Sequence, residues 1–243
     1  MVSEALKEQL GSWTILYPFF ESSEWTKIKE AIKPDFSKTT PEVGVWFRAF
    51  KECKYTDLKV VWLGLSPYFT TDQYTKKNTA DGLAFSTDTK HTVPPSLFHL
   101  YKGYEWDQYN GLNLNLARHN NLEFLANQGV LLLNSALTTT YGSAESHLEI
   151  WRPFIKYVIQ VLNKEKSGLI YCGFGKVANE LLTFVDKEKN TVFEREHPAA
   201  AAYRGNNWKH DKLFTKVDDE LIKQGKDTIA WDKYYADLEP APF

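Results

Sequence analysis

The stretch VVWLGLSPYF at residues 60–69 carries the reading of the fold. It closes an apolar run, 58–63, that breaks off at a glycine, a proline and two aromatics. Three further runs behave alike: 130–133 stops at NSALT, 169–172 at GFGK and 191–193 at EREHP. Short apolar runs bounded by Gly and Pro and separated by helix-length stretches form the pattern of buried parallel strands. Strands alternating with helices imply right-handed crossovers and helices on both sheet faces. The expected architecture is therefore a three-layer α/β/α domain around a central, mainly parallel four-stranded sheet. Ligands of open parallel sheets sit beyond the carboxyl ends of the strands, which singles out Ser66, Tyr68, Asn134 and His197.

Outward from the strands, residues 1–32 hold two short helical patterns, with Ser22 and Ser23 as caps ahead of EWTKIKEAI and Pro34 ending the second. VWFRAF predicts a short apolar-faced helix before the first strand. The segment 70–81 is polar and aperiodic, which reads as a functional loop or a disordered tip. VPPSLFHLYKGY opens on prolines suited to a helix start. NNLEFLANQG reads as a helix closed by Gly129, SHLEIWRPFIKYVIQVLNKEKSG as the longest helix, and GKVANELLTFVDK and HDKLFTKVDDELIKQGK as two more. With neither a long linker nor an internal repeat, one domain over 1–243 is expected, with a helical N-terminal part at 1–57 and a core at 58–232.

At 243 residues and 43% hydrophobic content, the chain can bury one sizeable core. Its first residues, MVSEALKEQL, lack the apolar centre of a signal peptide, and no apolar run approaches the roughly 18 residues of a membrane span. An intracellular protein is expected. Cys53 and Cys172 are too few for a disulfide framework, a four-thiolate zinc site or an iron–sulfur cluster. A net charge of -2 argues against a strongly basic nucleic-acid binder. It leaves room for a local basic face from Arg204, Lys209, His210 and Lys212, or from Lys76 and Lys77.

The strand-end clusters, taken in order, resemble the family 1 uracil-DNA glycosylases. VVWLGLSPYF, DGLAFS, VPPSL, NQGVLLLNSALTT, GSAESH, VLNKEKSG and EHPAAAAYRG stand in the order and approximate spacing of that family, from about residue 60 to residue 231. Each segment alone is weak, and the ordered set is specific. The resemblance implies a uracil-DNA glycosylase-like fold and a DNA partner. A monomer that needs no metal or cofactor is expected, in the cytoplasm or on the nucleoid. The resemblance gives Tyr68 the place of the tyrosine that blocks thymine's methyl group and Phe85 that of the aromatic under the flipped base. Asn134 matches the amide that reads uracil's polar edge, His197 the histidine that hydrogen-bonds its O2, and Ser96 a serine that grips the DNA backbone. These residue types suit the chemistry, because a base must leave the stack before it can be attacked. An amide offers both a donor and an acceptor, and a preorganised donor stabilises the departing uracil anion.

Two departures stand out. The family's GQDPYH is GLSPYF here, so the aspartate that orients water and faces the sugar cation is Ser66, and the preceding glutamine is Leu65. A carboxylate about 4 Å from a cation gains roughly 4 kcal/mol at an effective dielectric near 20, worth about a thousandfold in rate. Asp72 or Asp81, in the segment after Phe69, is a candidate replacement. In the last loop the family's HPSPLS is HPAAAA, which removes the gripping serines and the leucine wedge and so favours capture from single strands over extrusion from duplex. That leaves Ala199, Ala201, Tyr203 and Arg204 on the DNA side, with Tyr203 as a substitute wedge.

Two functions follow from that pattern: a glycosylase of weakened or divergent activity, or a non-catalytic uracil- or DNA-binding protein that serves replication. A third reading comes from GFGKVA after GLIYC, which fits a G-x-G-x-x-A dinucleotide fingerprint with Glu194 and Glu196 about 20 residues on. That fingerprint normally opens the first βαβ unit. Here it follows the third strand.

Overall fold

The computed structural model describes residues 1–90, 93–111, 119–205 and 207–231; the last twelve residues of the expected domain lie outside them. The four apolar runs form strands β1 (Val60–Gly64), β2 (Val130–Asn134), β3 (Ile170–Phe174) and β4 (Thr191–Arg195). They make one parallel sheet in the order β2-β1-β3-β4. β1 to β3 are buried along their whole length, whereas β4, at the edge, is only partly covered. The chain leaves β1 toward β2 and then crosses back to β3, so the order reverses beside β1, which places a crevice at its carboxyl end.

Helices α1 (Glu4–Leu10) and α2 (Ser23–Ile32) precede the sheet, and α3 (Pro95–Tyr109) follows the long connection after β1. α4 (Leu148–Glu165) enters β3, α5 (Lys176–Leu181) leaves it, and α6 (Ala199–Arg204) and α7 (Leu213–Lys223) follow β4. An aromatic cluster of Phe19, Phe20, Phe47, Phe50, Trp151 and Phe154 joins the N-terminal helices to α4. A second cluster centres on Trp62, stacked on Trp231 at 5.4 Å and flanked by Phe174 and Phe214. One contiguous hydrophobic core, reaching from Val2 to Trp231, results. Both thiols lie in it, and burial pushes Cys53 up to about 12. No helix among the described residues is long and apolar enough to cross a membrane.

Several local expectations need correction. Ser22 stands at the N-cap of α2, yet its hydroxyl donates to Phe19 O at 2.6 Å and caps nothing. NNLEFLANQG makes a single turn, Glu123–Ala126, because its apolar residues are consumed by docking under β2. The polar segment 70–79 is an ordered loop and not a disordered tip. It folds back on itself as a small hairpin, with a Thr71–Asn78 bridge and Thr79 N donating to Thr70 O at 2.9 Å.

Candidate functional site

β1 and β2 end level, because Gly64 and Asn134 are register partners. A Cβ on Gly64 would stand 2.6 Å from Asn134 Oδ1, so only glycine admits the carboxamide there. Ser135 N and Oγ both donate to Gly64 O, at 2.9 and 2.7 Å, and so fix the exit of β2. Asn134 is buried, and its carboxamide makes no hydrogen bond among the described residues. A donor and an acceptor therefore both face the crevice, where an unpaired amide favours a ligand that satisfies it.

The turn carrying Phe85 is tacked to the free edge of β2, with Ala84 N donating to Leu132 O at 2.9 Å. Phe85 itself has φ +66°, a left-handed conformation that is rare for an aromatic residue and concentrates at functional sites. Its ring meets Phe174 edge-on at 5.0 Å and lies 5.7 Å from the His197 ring at a tilt of 36°. Its carbonyl accepts from Tyr68 Oη at 2.8 Å. With its one hydrogen so used, the phenol accepts from the Ser96 hydroxyl at 3.0 Å. Burial holds the Tyr68 phenol well above its usual range, so it stays neutral.

His197 follows β4 by two residues and packs over Gly175, where φ is +94° and an added Cβ would lie 3.1 Å from His197 Cβ. Ala199 N donates to His197 Nδ1 at 3.2 Å. Nδ1 is thus an acceptor, and the proton of the neutral ring sits on Nε2. Burial lowers the imidazole to about 4, which keeps it neutral at pH 7. A neutral, fixed N–H donor in a sheltered site can stabilise an anion as it develops.

These side chains share one cleft of about 740 Å³. Leu65, Ser66, Tyr68, Phe85, Asn134 and His197 line it, together with Ser96, Ala199 and Tyr203. Asp72 joins them from the hairpin, with Oδ1 accepting from Tyr74 N, Thr75 N and Thr75 Oγ1 at 2.7–3.0 Å.

Asp81, the other candidate carboxylate, does not line the cleft. Its carboxylate is not on the cleft wall but within the turn, accepting from Leu83 N at 3.0 Å and Ser86 Oγ at 2.6 Å and paired with Arg48 Nη1 at 3.2 Å. Burial raises it to about 6. It shapes the turn that delivers Phe85 and cannot also face a sugar.

The alanines of HPAAAA open the helix α6 rather than a loop, and Ala201 is fully buried in it against α3, so Ala201 has no surface to offer DNA. Ser96 is likewise buried, its hydroxyl turned to Tyr68 and away from solvent. Arg204 is exposed but paired with Glu196 at 2.6 Å. Tyr203, at 91% exposure, stands free at the rim.

The two fingerprint glycines serve packing: a Cβ on Gly173 would meet Leu182 Cδ1 at 2.5 Å, and Gly175 makes room for His197. Glu194 pairs with Lys187 and Glu196 with Arg204. Sequence reading missed Thr70, Thr71, Gln73 and Thr79, which line the cleft from the hairpin, and Ala144 and Glu145 opposite. The signal available for the hairpin was the run of threonines about Asp72, an Asx-type turn former.

Residues 50–222 match the profile of the family described as the uracil DNA glycosylase superfamily. A uracil-DNA glycosylase of Campylobacter lari is 35% identical over 193 residues, 79% of each chain. One from Pediococcus pentosaceus is 32% identical over 221 residues, 89% of this chain and 91% of that one. Among solved structures, the mimivirus uracil-DNA glycosylase superposes with a TM-score of 0.81 over 91% of this chain and 86% of that one, at 22% identity, a likeness of fold. On the extent of these matches, the chain belongs to the uracil-DNA glycosylase superfamily.

Proposed function

We propose that this protein excises uracil from DNA by hydrolysing the N-glycosidic bond, with a catalytic half that stabilises the leaving base and a weakened half that faces the sugar. The observation that carries the reading is the convergence of Tyr68, Phe85, Asn134 and His197 on one cleft beyond the strand ends. A flipped uracil lies between the Phe85 ring and the Tyr68 wall, and Asn134 pairs with its O4 and N3–H edge. As the bond to the sugar lengthens, negative charge collects on the base, and His197 Nε2–H donates to its O2. No proton needs to move first, because the ring is already neutral.

The sugar side is where this chain departs from the family pattern. Ser66 can hydrogen-bond a water but carries no charge to offset the developing cation. Asp72, on the wall of the same cleft, supplies the nearest reading of a replacement carboxylate. The HPAAAA helix offers no wedge except Tyr203, whose exposed ring can stack in the gap left by the base. Single strands, which demand no unpairing, are the favoured substrate.

The test is a single-turnover assay with protein in excess over uracil-containing oligonucleotides, single-stranded and duplex, followed by cleavage of abasic sites. Slow product, faster from single strands, is expected. Absence of product over a long incubation, together with intact binding to uracil DNA, would leave a reader of uracil without catalysis.

A further inference from the structure

Ser96 sits in the second position of α3, behind two prolines, and is buried. A serine there has an ordinary reading as a DNA-backbone contact, but its hydroxyl is already committed. It lies 3.0 Å from Tyr68 Oη, whose own hydrogen goes to Phe85 O at 2.8 Å. The phenol therefore has two fixed partners, one on the turn that holds the base-stacking ring and one on the first turn of a 15-residue helix. A Tyr side chain held at its ring only by packing can swing about two torsions. One held at its tip from two directions cannot.

We propose that Ser96 is a positioning residue for base selectivity: its hydroxyl latches the Tyr68 ring in the place where that ring excludes a substituent at C5 of a pyrimidine. The inference rests on the uracil-reading function proposed above and adds to it the element that makes the wall rigid. Pro94 and Pro95 stiffen the backbone that carries the latch. The left-handed conformation of Phe85 aims the other partner, its carbonyl, at the same phenol. Floor and wall of the pocket thus form one hydrogen-bonded unit, Phe85–Tyr68–Ser96. A methyl group at C5 can be admitted only by displacing the ring and breaking that unit.

The experiment is a titration of the intact protein with free uracil and with free thymine, which requires no glycosylase turnover, alongside its affinity for a uracil-free oligonucleotide. Wild type should prefer uracil. Ser96→Ala should narrow the preference about fivefold, mostly by gaining thymine, a change of ~1 kcal/mol on the scale of one net hydrogen bond. Ser96→Thr, which keeps the hydroxyl, should restore the wild-type ratio. Tyr68→Phe should narrow it too, and adding Ser96→Ala to Tyr68→Phe should cost nothing more, because the shared bond is already gone. An unchanged base ratio in Ser96→Ala with weakened oligonucleotide binding would overturn the proposal in favour of a backbone grip. If wild type binds neither base, the uracil-reading function itself fails, a result separable from wild type binding uracil while the ratio ignores Ser96.

Discussion

At the scale of single residues, the site depends on what is small or uncharged as much as on what reacts. Gly64 is the clearest instance, since a methyl group there would stand 2.6 Å from Asn134 Oδ1. Gly64→Ala should therefore displace the carboxamide and weaken free-uracil binding at least as much as Asn134→Ala, about tenfold, the scale of a lost buried amide pairing; calorimetric titration of both variants checks it. Ser66 supports a second expectation. If the missing charge limits the rate, Ser66→Asp should raise single-turnover excision by one to three orders of magnitude, bounded by the ~4 kcal/mol of a carboxylate in contact with the sugar cation. No gain in a variant that still melts like wild type would refute the account of the weakened half. Tyr68, Asn134 and His197 were legible in the sequence because each closes or follows a strand-end motif, whereas Phe85, in DGLAFS, was placed only by the family resemblance. Ser96 and Ala201 were placed in sequence but not in exposure. Burial is decided by what α3 and α6 pack against, and one chain's pattern does not print that.

Among elements, the parallel strands were the most legible, since burial on both faces turns them into uninterrupted apolar runs. The hairpin at 70–79 was the least. Its order comes from short-range polar bonds about Asp72, which leave no hydrophobic periodicity to detect. Those bonds make Asp72 the acceptor that closes the hairpin, a role separable from the proposed one as a carboxylate on the cleft wall. Asp72→Asn keeps an acceptor oxygen and removes the charge. It should lower the excision rate about tenfold, the scale of a charge acting from beyond direct contact at an effective dielectric near 20, while the melting temperature holds. A rate equal to wild type would confine Asp72 to shaping the loop. α6 was misread for a related reason. HPAAAA was compared with a loop, yet four alanines have the best helix propensity available and settle into a helix once Ala201 finds a buried seat on α3.

For the molecule as a whole, the same burial that tunes the site sets the response to pH. His99, His119, His147, His197 and His210 are all held below their ordinary range, in each case chiefly by burial. Above about pH 7.5 these rings are largely neutral whether the chain is folded or not, and they contribute little pH dependence. As pH falls below that, the unfolded chain takes up protons that the folded one refuses, so stability is lost, and for His197 the loss continues down to about 4. Asp81 acts in the opposite sense. Its folded value of about 6 lies above the roughly 3.9 of an unfolded aspartate, so between those limits the folded state binds the extra proton and stability is regained. Five histidines outweigh the two carboxyls, Asp81 and Asp218, that burial raises. The melting temperature should therefore fall steadily between pH 7 and pH 5, and Asp81→Asn, which deletes its part of the offset, should steepen the fall below pH 6. A wild-type melting curve that stays level across that interval would mean the rings are reached by water in the folded protein. His197 would then titrate near its ordinary value, and excision would lose its neutral donor at pH 6 rather than near pH 4.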